Sequence, residues 1–241
     1  MSRIFIIGFG QVGREIMPLV KKRWPGDKTW IVDHDPKALT MENGSYGISV
    51  LEDGPRFLAR NQAWIRDEDW IIPALPIHLA WHWLYLNLKA SFKTRSLRPD
   101  HLLDLKLPFK KKFGPALLVS YADFICPNHC PAPLGRCFKT REERPSPLWR
   151  FLETCLSPKG NLHVIESRQM APGMGGYPFG ELKKALHRAW QSGPPFFLAT
   201  ACRCHGIING LTWRPEPVFS GVKQREAVSF RDTAKREFPL T

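Results

Sequence analysis

The chain has 241 residues, of which 43% are apolar, 12% aromatic and 24% charged, so it can bury a sizeable core and is neither disordered nor fibrous. Lys and Arg number 35 against 22 Asp and Glu, a net charge of +13 that suits an anionic partner such as a nucleotide, nucleic acid or membrane surface.

The first expected strand, residues 3–7, opens the chain where a secretory signal would show a charged start and an apolar stretch, and the expectation is a cytoplasmic protein. It runs into Gly8-Phe-Gly10-Gln-Val-Gly13 and then a helix over 11–23. In a dinucleotide-binding unit the first glycine makes the tight turn, the second admits the pyrophosphate and the third lets helix pack on strand. The N-terminus of the helix supplies N–H groups and a positive dipole end. A second strand, 29–33, ends at Asp33, twenty residues past Gly13, where a carboxylate accepts hydrogen bonds from ribose hydroxyls. His34 follows rather than an arginine, which favours NAD over NADP.

Together, Ile4 to Gly13 and the run Trp30-Ile31-Val32-Asp33-His34-Asp35-Pro36 resemble the NAD-binding (Rossmann) regulatory domain of bacterial potassium uptake systems. The resemblance implies nucleotide contacts at Gly8, Gly10, Gly13 and Asp33, with Asp53 a weaker match. It ends near residue 60 and does not reach the Cys-rich second half.

Further strands are expected at 46–50, 70–73, 116–121, 162–166 and 196–201, with helices at 55–61, 77–89, 147–155 and 180–191. This alternation predicts an α/β, Rossmann-like fold: a mostly parallel sheet with helices on both faces and a Cys-rich loop at its carboxyl edge. The stretch Trp70 to Leu88 has the length of a membrane span, but Pro73, Pro76, His78, His82 and Asn87 argue for a buried strand followed by a helix. The organisation expected is a dinucleotide-binding half (1–90), a basic linker or insertion (91–112), a second α/β half with the Cys/His cluster (113–212) and a peripheral tail (213–241). The basic stretch has few aromatics and no reader motif, so sequence-specific nucleic-acid binding is not expected.

Six cysteines in a cytoplasmic protein read as metal or redox chemistry before disulfides. Cys126, Cys130 and Cys137 fall within twelve residues of a Pro-rich loop, and Cys202-Arg203-Cys204-His205 follows another expected strand. One site of soft ligands, zinc or an iron–sulfur cluster, could take the first three plus Cys202, Cys204 or His205. The spacing matches neither paired C-x-x-C knuckles nor a ferredoxin run, and metal-free redox thiols or reduced core cysteines stay open as readings. Cys155, among Phe151, Leu152 and Leu156, reads as a core thiol.

If all the strands share one sheet, the glycine turn, the thiols and Ser167-Arg168-Gln169 meet at one edge, with Ser167 and Arg168 as substrate or anion contacts. His78 and His82, four apart on a helix, read more readily as packed residues than as a ligand pair. The loop 172–180 reads as a connection or a mobile flap. The function expected is an NAD-binding redox protein or oxidoreductase with a Cys/His-ligated metal or iron–sulfur site near the nucleotide. A non-catalytic NAD-responsive regulator with a structural zinc is the alternative, and the partners expected are a dinucleotide, a small anionic substrate or a protein, with no membrane span.

Overall fold

The computed structural model describes residues 3–40, 47–144, 146–156 and 161–215. Strands β1 (Ile4–Ile7), β2 (Thr29–Asp33), β3 (Ile48–Leu51) and β4 (Trp70–Pro73) are joined through helices α1 (Gln11–Arg23), α2 (Pro36–Thr40) and α3 (Gly54–Arg60). All four strands are mutually parallel, in the order β3-β2-β1-β4. Helix α4 (Leu79–Lys89) leads into β5 (Phe92–Leu97), β6 (Phe109–Phe113) and β7 (Ala116–Ser120), and then α5 (Leu148–Leu156) and β8 (Leu162–Glu166). A hairpin of β9 (Arg168–Ala171) and β10 (Met174–Pro178) precedes α6 (Phe179–Ser192), β11 (Phe196–Ala201) and β12 (His205–Pro215).

The architecture is mixed α/β with two sheets, not the one mostly parallel sheet expected. Hairpin β9–β10 adds antiparallel to the β4 edge of the first sheet. The second sheet runs β6-β7-β12-β11-β8, with β5 also on β12, and only its β8–β11 pair is parallel. The glycine turn and the cysteines therefore belong to different sheets.

Alternation along the strands builds the layers. On β1, Ile4 and Ile6 face α1 and α2, meeting Ile16, Met17, Val20 and Ala38, whereas Phe5 and Ile7 face α3, α4 and α6. On β11, Phe196 and Leu198 face α4 and α6 from the other side, and Ala199 and Ala201 face Leu148 and Leu152 of α5. Helices α4 and α6 thus lie between the two sheets, with α3 packed beside α4, and α1 and α2 on one side and α5 on the other cover the outer faces. Helix α4 buries Leu79, Ala80, Trp81, Trp83, Leu84 and Leu88 because sheets flank it on two sides. That burial explains its span-like composition, and among the described residues no helix is long and apolar enough to cross a membrane.

Three expectations change. The basic stretch 91–112 holds two strands of the second sheet; Lys110, Lys111 and Lys112 are exposed on β6, an edge strand whose charges discourage pairing with another chain. The loop 172–180 is β10 and the start of α6. Residues 213–215 are the end of β12, with Trp213 buried, rather than tail, and the remainder of that segment lies outside the described residues.

Candidate nucleotide turn and thiol-lined cavity

Each glycine of the first turn has a separate physical reason. Gly8 sits at φ 98°, and a Cβ there would lie 2.7 Å from the Ala74 carbonyl oxygen; a Cβ on Gly13 would overlap the Gly8 carbonyl. At Gly10, exposed and the N-cap of α1, an added Cβ would meet no atom of the described residues within 4 Å. Folding explains Gly8 and Gly13, while Gly10 leaves backbone open to the outside at a helix N-terminus whose first turn carries no acid. Asp33 is buried at the end of β2 and closes the turn: one oxygen accepts from Phe9 N–H at 2.6 Å and the other from Asp35 N–H at 2.8 Å. Asp53 caps α3, accepting from Arg56 N–H at 3.1 Å.

Strands β7, β8 and β11 run in one direction, so the segments after them meet at one edge of the second sheet. There, Cys126, Cys130, Cys202, Cys204 and His205 line a cavity of about 690 Å³ together with Ser167 and Arg168. The walls are tied across elements. Gln169 Nε2 donates to the Cys130 carbonyl at 2.6 Å, Arg203 donates to the Ala132 carbonyl, and Gly173 comes so close to the Asn128 carbonyl that no side chain fits. The first N–H groups of α5, from Leu148 and Trp149, donate to the carbonyls of Arg203 and Cys202 at 2.9 and 3.3 Å.

Several sulfurs are presented to backbone donors. Cys130 Sγ accepts from Ala132 N–H at 3.4 Å, Cys137 Sγ from Thr140 N–H at 3.5 Å, and Cys202 Sγ from the N–H groups of Cys204 and His205 at 3.4 and 3.3 Å. The Arg144 guanidinium donates to Cys204 Sγ. Burial pushes the Cys126 thiol up, and the neighbouring Cys130, Cys137 and Cys202 push it further while Arg144 opposes. Cys204 is pushed up to about 11, again first by burial, against the pull of Arg144 and with Cys202, Cys130 and Cys126 adding to the rise. At Cys137 burial also acts upward, but hydrogen bonds from Thr140 and Lys139 and the charge of Arg144 outweigh it, and the thiol is lowered. Cys126 and Cys204 thus resist ionisation despite the arginine that opposes the rise, whereas Cys137 is eased towards it. His205 is lowered by burial and Arg144, and its Nδ1 lies 3.8 Å from Cys202 Sγ. All six cysteines are free thiols, and Cys155 packs against the α5 core as expected. Among the described residues no three His, Cys, Asp or Glu side chains are gathered to clasp a single ion.

The cavity continues towards the first sheet. Pro73, the last residue of β4, and Ile77 and His78 from the loop after it line the cavity, and the same loop touches the glycine turn through Ala74 and Leu75. His78 is buried and committed: Nδ1 donates to the Asn209 carboxamide oxygen and Nε2 accepts from the Thr200 hydroxyl, both at 2.9 Å. Burial pushes it down to about 4, so it is neutral, and with both ring nitrogens engaged it offers no free lone pair to a metal; His82 packs edge-on against Trp81. Arg168 meets Glu166 at 3.4 Å and is half exposed. Arg144, Thr200, Asn209 and Tyr177 were not singled out by sequence; only Asn209, a lone amide within an apolar run, offered a signal.

A protein of Archaeoglobus fulgidus described as "Uncharacterized protein" is 28% identical over 219 residues, covering 86% of this chain and 97% of its own. No solved structure matches the chain. Residues 79–214, from α4 almost to the end of β12 and including every cysteine, match a family model, and the chain belongs to that family, AF_1314_C, described as "Uncharacterized protein, C-terminal domain".

Proposed function

We propose that the protein is an NAD-binding redox protein in which an iron–sulfur cluster, held by Cys126, Cys130, Cys137 and Cys202, stands beside the nicotinamide end of the nucleotide. The observation that carries this reading is that four thiols from the loops after β7 and β11, Cys126, Cys130, Cys202 and Cys204, line one cavity, with Arg144 acting on Cys126, Cys137 and Cys204. Cys202 is preferred as fourth ligand because backbone N–H groups already present its sulfur, as they do for Cys130 and Cys137, whereas Cys204 is held by Arg144. A single zinc needs four donors at one point, while a four-iron cluster would take each thiolate on a different iron. Because no three His, Cys, Asp or Glu side chains among the described residues are gathered to clasp a single ion, this reading takes the cluster over zinc.

The nucleotide half rests on a Rossmann-like strand order. In β3-β2-β1-β4 the crevice lies beyond the carboxyl ends at the β1/β4 switch, with the adenosine half over β2 near Asp33 and the nicotinamide half extending over β4. The cavity begins at the end of β4, which would bring the nicotinamide towards the thiols. A bound cluster would supply one-electron transfer; the chain's own groups bind, orient and exclude water. Anaerobic NADH oxidation with ferricyanide, two equivalents per NADH, tests the reading. Turnover that disappears in Cys130→Ser supports it; tight NADH binding without turnover instead favours the regulator with a structural zinc.

A further inference from the structure

Strand β12 is eleven residues long, and its two halves have different neighbours. The first half pairs with β7, and α5 covers the outer side there, over Ile208 and over Ala199 and Ala201 of β11. The second half pairs with β5 in the register Leu97↔Gly210, Arg95↔Thr212 and Lys93↔Arg214. Leu211 and Trp213 point into the core between the sheets, so Thr212 and Arg214, with Arg95 and Lys93 opposite them, point outward. Lys93, Arg95 and Arg214 are all exposed, and no carboxylate among the described residues pairs with any of them. Asp100, close by in sequence, is already shared by Arg98 and Lys112 at 3.5 and 3.0 Å.

Lys93 and Arg214 stand directly opposite each other, and like charges so placed cost stability that a bound anion would restore. Arg95 lies on the same face, about 7 Å along the strand from Lys93. Two residues beyond Arg95, at Leu97, the face runs into an open hollow of about 550 Å³, lined also by Arg98, His101 and Phe197. The His101 ring is exposed and stands edge-on to Phe197 at 4.6 Å. None of the large apolar side chains exposed among the described residues belongs to β5 or β12, whereas a membrane surface or a protein partner would take up apolar groups. A row of unpaired cations is complementary to a chain of repeated anions. We propose that this face binds single-stranded nucleic acid without regard to sequence, its phosphates on Lys93, Arg95 and Arg214 and an unpaired base in the hollow beside His101. A duplex keeps its bases inside and leaves the hollow unfilled. The assignment stands apart from the nucleotide turn and the thiols.

Fluorescence anisotropy of a labelled oligo(dT) of about twenty nucleotides, titrated with the full chain over salt concentrations from about 50 mM upward, tests it. Three phosphate contacts predict a slope of about −2 for log affinity against log salt. A single strand of mixed sequence binds within about threefold of oligo(dT), and duplex binds more weakly. The triple variant Lys93→Gln, Arg95→Gln, Arg214→Gln binds at least about tenfold more weakly, with a slope close to zero. Neutralising Lys21, Lys22 and Arg23 instead, in the last turn of α1 beside the other sheet, changes affinity by less than about twofold. Lys93→Gln alone melts no lower than wild type, because it ends the like-charge pair. Absence of binding at about 50 mM salt, wild-type affinity in the triple variant or an equal loss in the α1 variant overturns the proposal. So does tighter binding to duplex or to phosphatidylserine vesicles than to oligo(dT), or a lower melting temperature in Lys93→Gln.

Discussion

Replacing Gly10 by alanine separates what the glycine turn does for folding from what it does for a ligand. At φ −69° the backbone is open to any residue, and the added Cβ meets no atom of the described residues within 4 Å. Two small terms act on stability: alanine is a poorer N-cap than glycine by about 1 kcal/mol, and the less flexible unfolded chain returns about 0.4–1 kcal/mol. The net change is within about 1 kcal/mol. Gly13→Ala, by contrast, drives a carbon into the Gly8 carbonyl and should cost about 4 kcal/mol or more. A pyrophosphate seated against Gly10 would be displaced by the methyl and lose charge-assisted N–H bonds of about 1.5–3 kcal/mol each, a fall of at least about tenfold in affinity. Melting curves and NADH titration of Gly10→Ala read both quantities. Wild-type stability with weakened NADH binding is the expected result; wild-type affinity refutes the nucleotide assignment, and unfolding refutes the argument that the chain itself does not need this glycine.

Other outcomes follow from the same contacts. Asp33→Ala strips the acceptors from Phe9 and Asp35 N–H and should destabilise the ligand-free protein by about 1–3 kcal/mol in urea unfolding, before any loss of ribose contact is counted. His78 titrates at about 4 when folded and at 6.5 when unfolded, so the unfolded chain binds the proton first; its stabilising contribution is full above pH 6.5 and falls by about 3 kcal/mol towards pH 4. Urea unfolding between pH 4 and 7 should show that slope, reduced in His78→Gln. Arg144→Gln removes the one charge that opposes the rise at Cys126 and Cys204 and helps lower Cys137, so iodoacetamide alkylation of the metal-free protein at pH 8 should slow at all three.

Local pattern made some of this legible and tertiary pairing hid the rest. The apolar run Ile4–Ile7, the glycine spacing and the position of Asp33 each reflect short-range demands of a strand, a turn and a helix, and β1, α1 and β2 stand where expected. The lysines of β6 obscured a strand because an edge needs only one bonded side and tolerates charge facing water. Strand β12 was missed because its Gly206, Asn209 and Gly210 read as turn signals; it gains its regularity from β11 on one side and β7 and β5 on the other. Gly210 is there because a side chain would strike Phe197 and the Leu97 carbonyl. At the cavity, the cysteines were visible as a composition cluster, and the direction shared by β7, β8 and β11 brings them together. The bonds of His78 to Thr200 and Asn209 join residues more than 120 positions apart, which no periodicity reveals.

Iron and acid-labile sulfide content of anaerobically purified protein, taken with its visible absorption, tests the central claim most directly. The account predicts iron and sulfide in equal amounts with a charge-transfer band near 400 nm, on the order of that of sulfide-bridged iron, both lost together with thermal stability in Cys130→Ser. Protein that carries neither iron nor sulfide, with Cys130→Ser as stable as wild type, would contradict it.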